Sequence, residues 1–216
     1  VTASPIAGDL EGDGTVDLVF GDRNGSLYKL RGEAGEPEWR IELGEDIDSP
    51  PVGADLDDDG VTEVILGSWD SSIFCLDGRS GKVKWRFEAG GMIVSHPSIA
   101  DVDGDGKLEV IAGSVDHNLY CLGGRDGKEK WRAQLGGAIV SSPVLGDVDG
   151  DRRIEAIVCD SAGQVYVIGP DGKVERSIRL GSPIRSTPLL RDLDGDGRLE
   201  LIVADMSGKL YRPVSY

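Results

Sequence analysis

Asp101-Val-Asp-Gly-Asp-Gly-Lys-Leu-Glu-Val-Ile-Ala-Gly113 couples an acidic, glycine-containing loop to a continuous apolar run. The same loop recurs as Asp9-Leu-Glu-Gly-Asp-Gly, Asp55-Leu-Asp-Asp-Asp-Gly, Asp147-Val-Asp-Gly-Asp-Arg and Asp192-Leu-Asp-Gly-Asp-Gly, with first residues 46, 46, 46 and 45 apart. A proline stands four residues before each copy: Pro5, Pro51, Pro97, Pro143 and Pro188. Trp39, Trp85 and Trp131 keep the period, as do Tyr28, Phe74, Tyr120, Tyr166 and Tyr211. The chain is one repeat written almost five times.

Each copy reads as four strands. The first follows the column of Ile47, Ile93, Ile139 and Ile184, passes the proline and ends at the acidic loop. Apolar runs such as Val64-Ile-Leu and Val110-Ile-Ala suit a strand buried on both faces. A turn such as Asn24-Gly25 leads to the Leu/Ile-Tyr/Phe-x-Leu strand, and a second turn, Asp77-Gly-Arg-Ser-Gly81, leads to the tryptophan strand. There Trp85, Phe87 and Ala89 alternate with Arg86 and Glu88, the period of a half-solvated outer strand. A fixed period of this length with four antiparallel strands predicts an all-β fold, a propeller of about five blades. A parallel β-helix uses a shorter coil, and a two-sheet sandwich calls for no single period.

Residues 1–216 are expected to form one domain, with blades starting near 1, 47, 93, 139 and 184. The last blade, ending in Tyr211-Arg-Pro-Val-Ser-Tyr216, is expected to lack its outer strand. A closed five-bladed ring is the expectation. The alternative, part of a larger ring, would leave two interblade faces open to self-association.

The 216 residues carry 23 Lys and Arg against 39 Asp and Glu, a net charge of −16. Nucleic acid and anionic membrane surfaces are therefore poor partners, because both are repelled at long range. No apolar run approaches the roughly 20 residues of a membrane-spanning helix. Val1-Thr-Ala-Ser-Pro has neither the basic head nor the apolar body of a signal peptide, so a soluble module is expected.

Two resemblances follow from these residues. The acidic loop, with Ser-Pro upstream and a strand ending in Phe20-Gly21, resembles the FG-GAP repeat of integrin α-chains and many bacterial surface proteins. Leu119-Tyr-Cys-Leu, Gly127-Lys128 and Trp131-Arg132 resemble the repeat of quinoprotein-type (PQQ-like) propellers. The first resemblance implies calcium bound between the first and second strands of each blade. Both families serve many roles, so neither resemblance assigns a molecular function. An extracellular, cell-surface or periplasmic location is expected.

The loop chemistry can be read directly. Oxygen groups at positions 1, 3 and 5 converge on a hard cation when the chain curls tightly, a glycine at position 6 permits the turn, and the position-7 carbonyl and position-9 carboxylate complete the shell. In the third copy these are Asp101, Asp103, Asp105, Lys107 and Glu109. The first copy offers Asp9, Glu11, Asp13, Thr15 and Asp17, and the second Asp55, Asp57, Asp59, Val61 and Glu63. The fourth offers Asp147, Asp149, Asp151, Arg153 and Glu155, and the fifth Asp192, Asp194, Asp196, Arg198 and Glu200. Five calcium ions would take the net charge from −16 to −6. Zinc would want Cys or His instead. The first and fourth sites are expected to be weakest: Glu11 is longer than Asp, and Arg152 replaces the glycine and brings positive charge.

Cys75, Cys121 and Cys159 are expected to be buried free thiols, because equivalent positions of neighbouring blades lie too far apart for a disulfide. Polar residues near the inner strands, Asp48, Ser49, Ser95, His96, Ser141, Ser142, Arg185, Ser186 and Thr187, form no nucleophile, base and orienting set. The reading is therefore a non-enzymatic recognition, adhesion or scaffold module for protein or glycan ligands. The alternative is a calcium-dependent polysaccharide lyase. Ligand contact is expected on the face opposite the acidic loops, where equivalent positions differ: Arg23, Trp69, Val115, Ser161 and Met206 in one column, Thr2, Asp48, Val94, Val140 and Arg185 in another.

Overall fold

The computed structural model describes residues 3–32 and 37–212. Thr2 and the final residues 213–216 lie outside them. The described residues form nineteen strands in five antiparallel sheets. The first blade comprises β1 (Ile6–Gly8), β2 (Asp17–Gly21), β3 (Ser26–Arg31) and β4 (Pro37–Glu42). The second comprises β5 (Val52–Ala54), β6 (Glu63–Gly67), β7 (Ser72–Asp77) and β8 (Val83–Glu88). The third comprises β9 (Ser98–Ala100), β10 (Glu109–Gly113), β11 (Asn118–Gly123) and β12 (Glu129–Gln134). The fourth comprises β13 (Val144–Gly146), β14 (Glu155–Cys159), β15 (Gln164–Ile168) and β16 (Val174–Arg179). The fifth holds β17 (Leu189–Arg191), β18 (Glu200–Ala204) and β19 (Leu210–Tyr211).

In the second, third and fourth blades the second strand is apolar after its first residue because its two faces serve two interfaces. Val64 and Leu66 pack with Val19 and Leu27 of the first blade and with Ile47 of the link between the two blades. Ile65, between them in sequence, packs with Val110, Ala112 and Tyr120 of the third. Four such cores join blades one to two, two to three, three to four and four to five. Among the described residues no core cluster joins the fifth blade to the first, against the closed ring that the repeat count led one to expect. Leu18 is accordingly 38% exposed, whereas its equivalents Val64 and Val110 are fully buried. Leu189, Leu193 and Leu210 of the fifth blade are also exposed.

The isoleucine column corrects the sequence reading. The first strands begin only after the prolines, and Ile47, Ile93 and Ile139 are buried plugs outside any strand. Each seats on a glycine of the second strand. A Cβ on Gly67 would lie 2.2 Å from Ile93 Cγ2, so only glycine leaves room. Tryptophans lock the outer strands to the next blade: the Trp85 indole N–H donates to the Gly124 carbonyl at 2.8 Å, and Trp39 donates to that of Gly78 at 3.2 Å. All three cysteines are free and buried, and burial pushes the Cys121 and Cys159 thiols up to about 12.

Candidate functional site

The acidic loops join the first and second strands and are folded by their own carboxylates. The backbone N–H at position 6 donates to the position-1 aspartate in every copy: Gly14 to Asp9, Gly60 to Asp55, Gly106 to Asp101, Arg152 to Asp147 and Gly197 to Asp192, at 2.8–3.0 Å. The position-7 N–H of Thr15, Val61, Lys107, Arg153 and Arg198 donates to the position-5 aspartate at 2.8 Å. Arg152 adopts φ 70°, so the fourth loop keeps the path that its missing glycine was expected to disturb. In copies two to five the position-9 glutamate folds back and accepts the position-2 N–H, as Glu109 does from Val102 at 3.0 Å.

This wiring brings together some of the predicted ligands and not others. Carboxylate oxygens converge in four sets: Asp55, Asp57 and Glu63; Asp101, Asp103 and Glu109; Asp147, Asp149 and Glu155; Asp192, Asp194, Asp196 and Glu200. Each set can hold a metal ion. Asp59, Asp105 and Asp151 serve the turn instead. Asp9, Glu11, Asp13 and Asp17 of the first copy are not among the convergent sets; there the Lys29 ammonium stands between Glu11 and Asp17 and also pairs with Glu38 at 2.9 Å.

Basic side chains beside the loops were not read from the sequence. Lys84 Nζ bridges Asp57 Oδ2 at 2.7 Å and Glu63 Oε1 at 2.9 Å. Lys130 Nζ bridges Asp103 Oδ2 at 2.7 Å and Glu109 Oε1 at 2.6 Å. Both lysines sit at a bulge: Trp85 opposes Cys75 and Val83 opposes Leu76, so Lys84 has no cross-strand partner and turns to the loop. Lys130 stands likewise between Glu129 and Trp131. Burial alone would lower these ammonium groups, but the hydrogen bonds they donate to the paired carboxylates hold both above the ordinary lysine range. In the fifth blade Arg212 reaches Asp194 at 3.2 Å and Glu200 at 3.4 Å.

On the opposite face the turns between second and third strands are held alike. The N–H of Trp69, Val115, Ser161 and Met206 donates to Asp46, Met92, Ala138 and Pro183, at 2.9–3.1 Å. Trp69 is 43% exposed and Met206 62%. Arg23 lies 3.9 Å from Asp48, and Arg185 is exposed. Aspartate–tyrosine clamps brace these turns, as where Tyr166 donates to Asp160 at 2.9 Å. Three of the inner serines are spent on backbone: Ser49 donates to Ser95 O, Ser141 to Cys159 O and Ser186 to Ala204 O. His96 lines an apolar cleft of about 520 Å³ with Val52, Ile99, Val144 and Leu190.

Against this geometry, the family model PQQ_2, described as outer membrane protein assembly factor BamB, matches residues 4–168. The chain belongs to this family. Of the two resemblances it is the PQQ-like one that is shown. The match spans the first three blades and the first three strands of the fourth. No curated protein matches the chain in sequence. BamB from Moraxella catarrhalis is similar at TM-score 0.64 and 17% identity, over 98% of this chain and 63% of that one. The computationally designed Ika8 protein has TM-score 0.69 and 13% identity, over 93% and 55%. BBS1N, solved in complex with ARL6DN, has TM-score 0.60 and 16% identity, over 98% and 77%. These likenesses show the propeller fold. The chain thus spans less than two thirds of the Ika8 and BamB structures.

Proposed function

We propose that the chain is a non-enzymatic scaffold that presents the face opposite its acidic loops to a protein partner, outside the cytoplasm and in the periplasm rather than in the medium. The observation that carries this reading is Trp69, a large aromatic left 43% exposed in a turn whose backbone is held as firmly as its equivalents. Exposed tryptophans on rigid supports are the side chains that most often dominate an interface. Membership of a family described as an outer membrane assembly factor supports the location, and a propeller of the same fold, BBS1N, was solved with a protein bound.

The acidic loops have a separate role in this proposal. Their convergent sets are oxygen-only, which suits calcium among the common divalent ions, as the FG-GAP resemblance implies. Calcium there would act on stability, since the loops lie on the side away from Trp69.

A photo-crosslinking residue placed at Met206 tests the partner face, with one at Lys107 on the loop side as the control. The expected result is one protein adduct from the first position and none from the second. Trp69→Ala should then weaken that complex by about 2 kcal/mol or more with an unchanged melting curve. Trp85→Ala should instead cost about 3–5 kcal/mol of stability, because it empties an interblade core. Equal destabilisation by the two would make Trp69 a packing residue and remove the proposed interface.

A further inference from the structure

Two columns of the repeat, the second present in the four four-stranded blades, can send a basic side chain between the third and ninth residues of the acidic loop. One is the third-strand column of Lys29, Cys75, Cys121, Val167 and Arg212. The other is the outer-strand bulge column of Glu38, Lys84, Lys130 and Glu175. Blades one and five use the first column, through Lys29 and Arg212. Blades two and three have cysteine there and use the second, through Lys84 and Lys130. The fourth blade has Val167 in one column and Glu175 in the other, so neither is basic.

The consequence is visible at Glu155, which is 0% exposed. Its Oε2 accepts the Val148 N–H at 3.0 Å, while Oε1 has no hydrogen-bond partner. The equivalent oxygens of Glu63 and Glu109 are the ones that take Lys84 and Lys130. Asp147 and Asp149 each offer an oxygen to the same point as Glu155, all within 4.8 Å of one another. A buried carboxylate oxygen aimed into an acidic cluster without a donor is the arrangement that a bound cation resolves. Asp57 Oδ1 also lacks a hydrogen bond, but the other oxygen of that carboxylate already holds Lys84.

We propose that the fourth acidic loop is the divalent-cation site of this chain, with Asp147, Asp149 and Glu155 holding a hard cation where other blades place their own ammonium or guanidinium group. This rests on the reading that the acidic loops hold calcium, and it narrows that reading to one loop. The two arginines of the loop do not fill the place. Arg153 pairs with Asp151, outside the convergent set, and the backbone N–H of exposed Arg152 serves Asp147. Glu175 adds negative charge that is felt at Glu155.

Calorimetric titration of the chelator-stripped full chain with calcium chloride tests this. About one equivalent should bind, and Glu155→Gln should abolish it. Glu175→Lys, at an exposed position, restores the lysine found in blades two and three and should weaken calcium by about tenfold or more. Lys130→Met should add a second equivalent, at the third loop. Four equivalents on the unmodified chain, or one that survives both Glu155→Gln and Glu175→Lys, would overturn the assignment while leaving the general cation reading intact. No heat and no retained metal with calcium, magnesium or manganese would sink both. If Glu155→Gln does not fold, Glu175→Lys and Lys130→Met still decide the matter.

Discussion

The third and fourth acidic loops follow one backbone path and differ in what neutralises them. In the third, Lys130 sits within 2.7 Å of both Asp103 and Glu109. In the fourth, Glu155 keeps the same hydrogen bond to the loop and has nothing on its other oxygen. Since both loops fold alike, the turn is made by carboxylates accepting backbone N–H groups, independently of the cation beside them. Charge compensation is a second problem, which the repeats solve from two different columns.

The comparison is broken most severely by removing a built-in cation where it is fully enclosed. Lys29 is 0% exposed among Glu11, Asp17 and Glu38. Lys29→Met should cost about 3–5 kcal/mol in chemical denaturation, because it strands the buried Asp17 carboxylate beside Glu11. An effect near zero would mean that the first loop relaxes into solvent. Lys130→Met should cost less, about 1–2 kcal/mol, since that side chain is 31% exposed. Calcium should recover part of the loss, as it now has the vacated place; a loss insensitive to calcium would show that the third loop cannot exchange lysine for metal.

The smallest effect is expected at the fourth loop, in chelator. Burial pushes the Glu155 carboxyl up, opposed by the Val148 hydrogen bond and reinforced by Asp149, Asp151 and Glu175. A carboxyl whose folded value is raised costs stability while ionised, and that cost lifts as pH falls through the folded value toward the ordinary 4.5. Glu155→Gln should therefore melt slightly above the unmodified chain at neutral pH, and the gap should close on acidification. A gap that widens toward acid would contradict the account.

The blades were legible because their determinants are local and periodic: an apolar run, a turn and an alternating outer strand, 45 or 46 residues apart. The isoleucine column misled because a buried plug and a strand residue present the same letter; what separates them is the glycine it seats on, as Ile93 does on Gly67. The acidic loops were legible as loops, and the carboxylates of four of the five converge; the basic side chains beside them were not legible. Lys84 lies 27 residues from Asp57 and reaches it only because a bulge turns it out of register. The exchange between cysteine and lysine columns was present in the sequence, but its meaning depends on both columns meeting one loop. Arg152 in place of the loop glycine predicts a disturbed turn, whereas it takes up the positive φ and leaves the turn intact.

The most direct test of the central claim is anomalous scattering from crystals of the chain grown in calcium. One strong peak is predicted, bounded by Asp147, Asp149 and Glu155, with Lys84 and Lys130 still seated on their glutamates. Peaks of equal strength at the second and third loops with those lysines displaced, or calcium density elsewhere and none in the fourth loop, would contradict it.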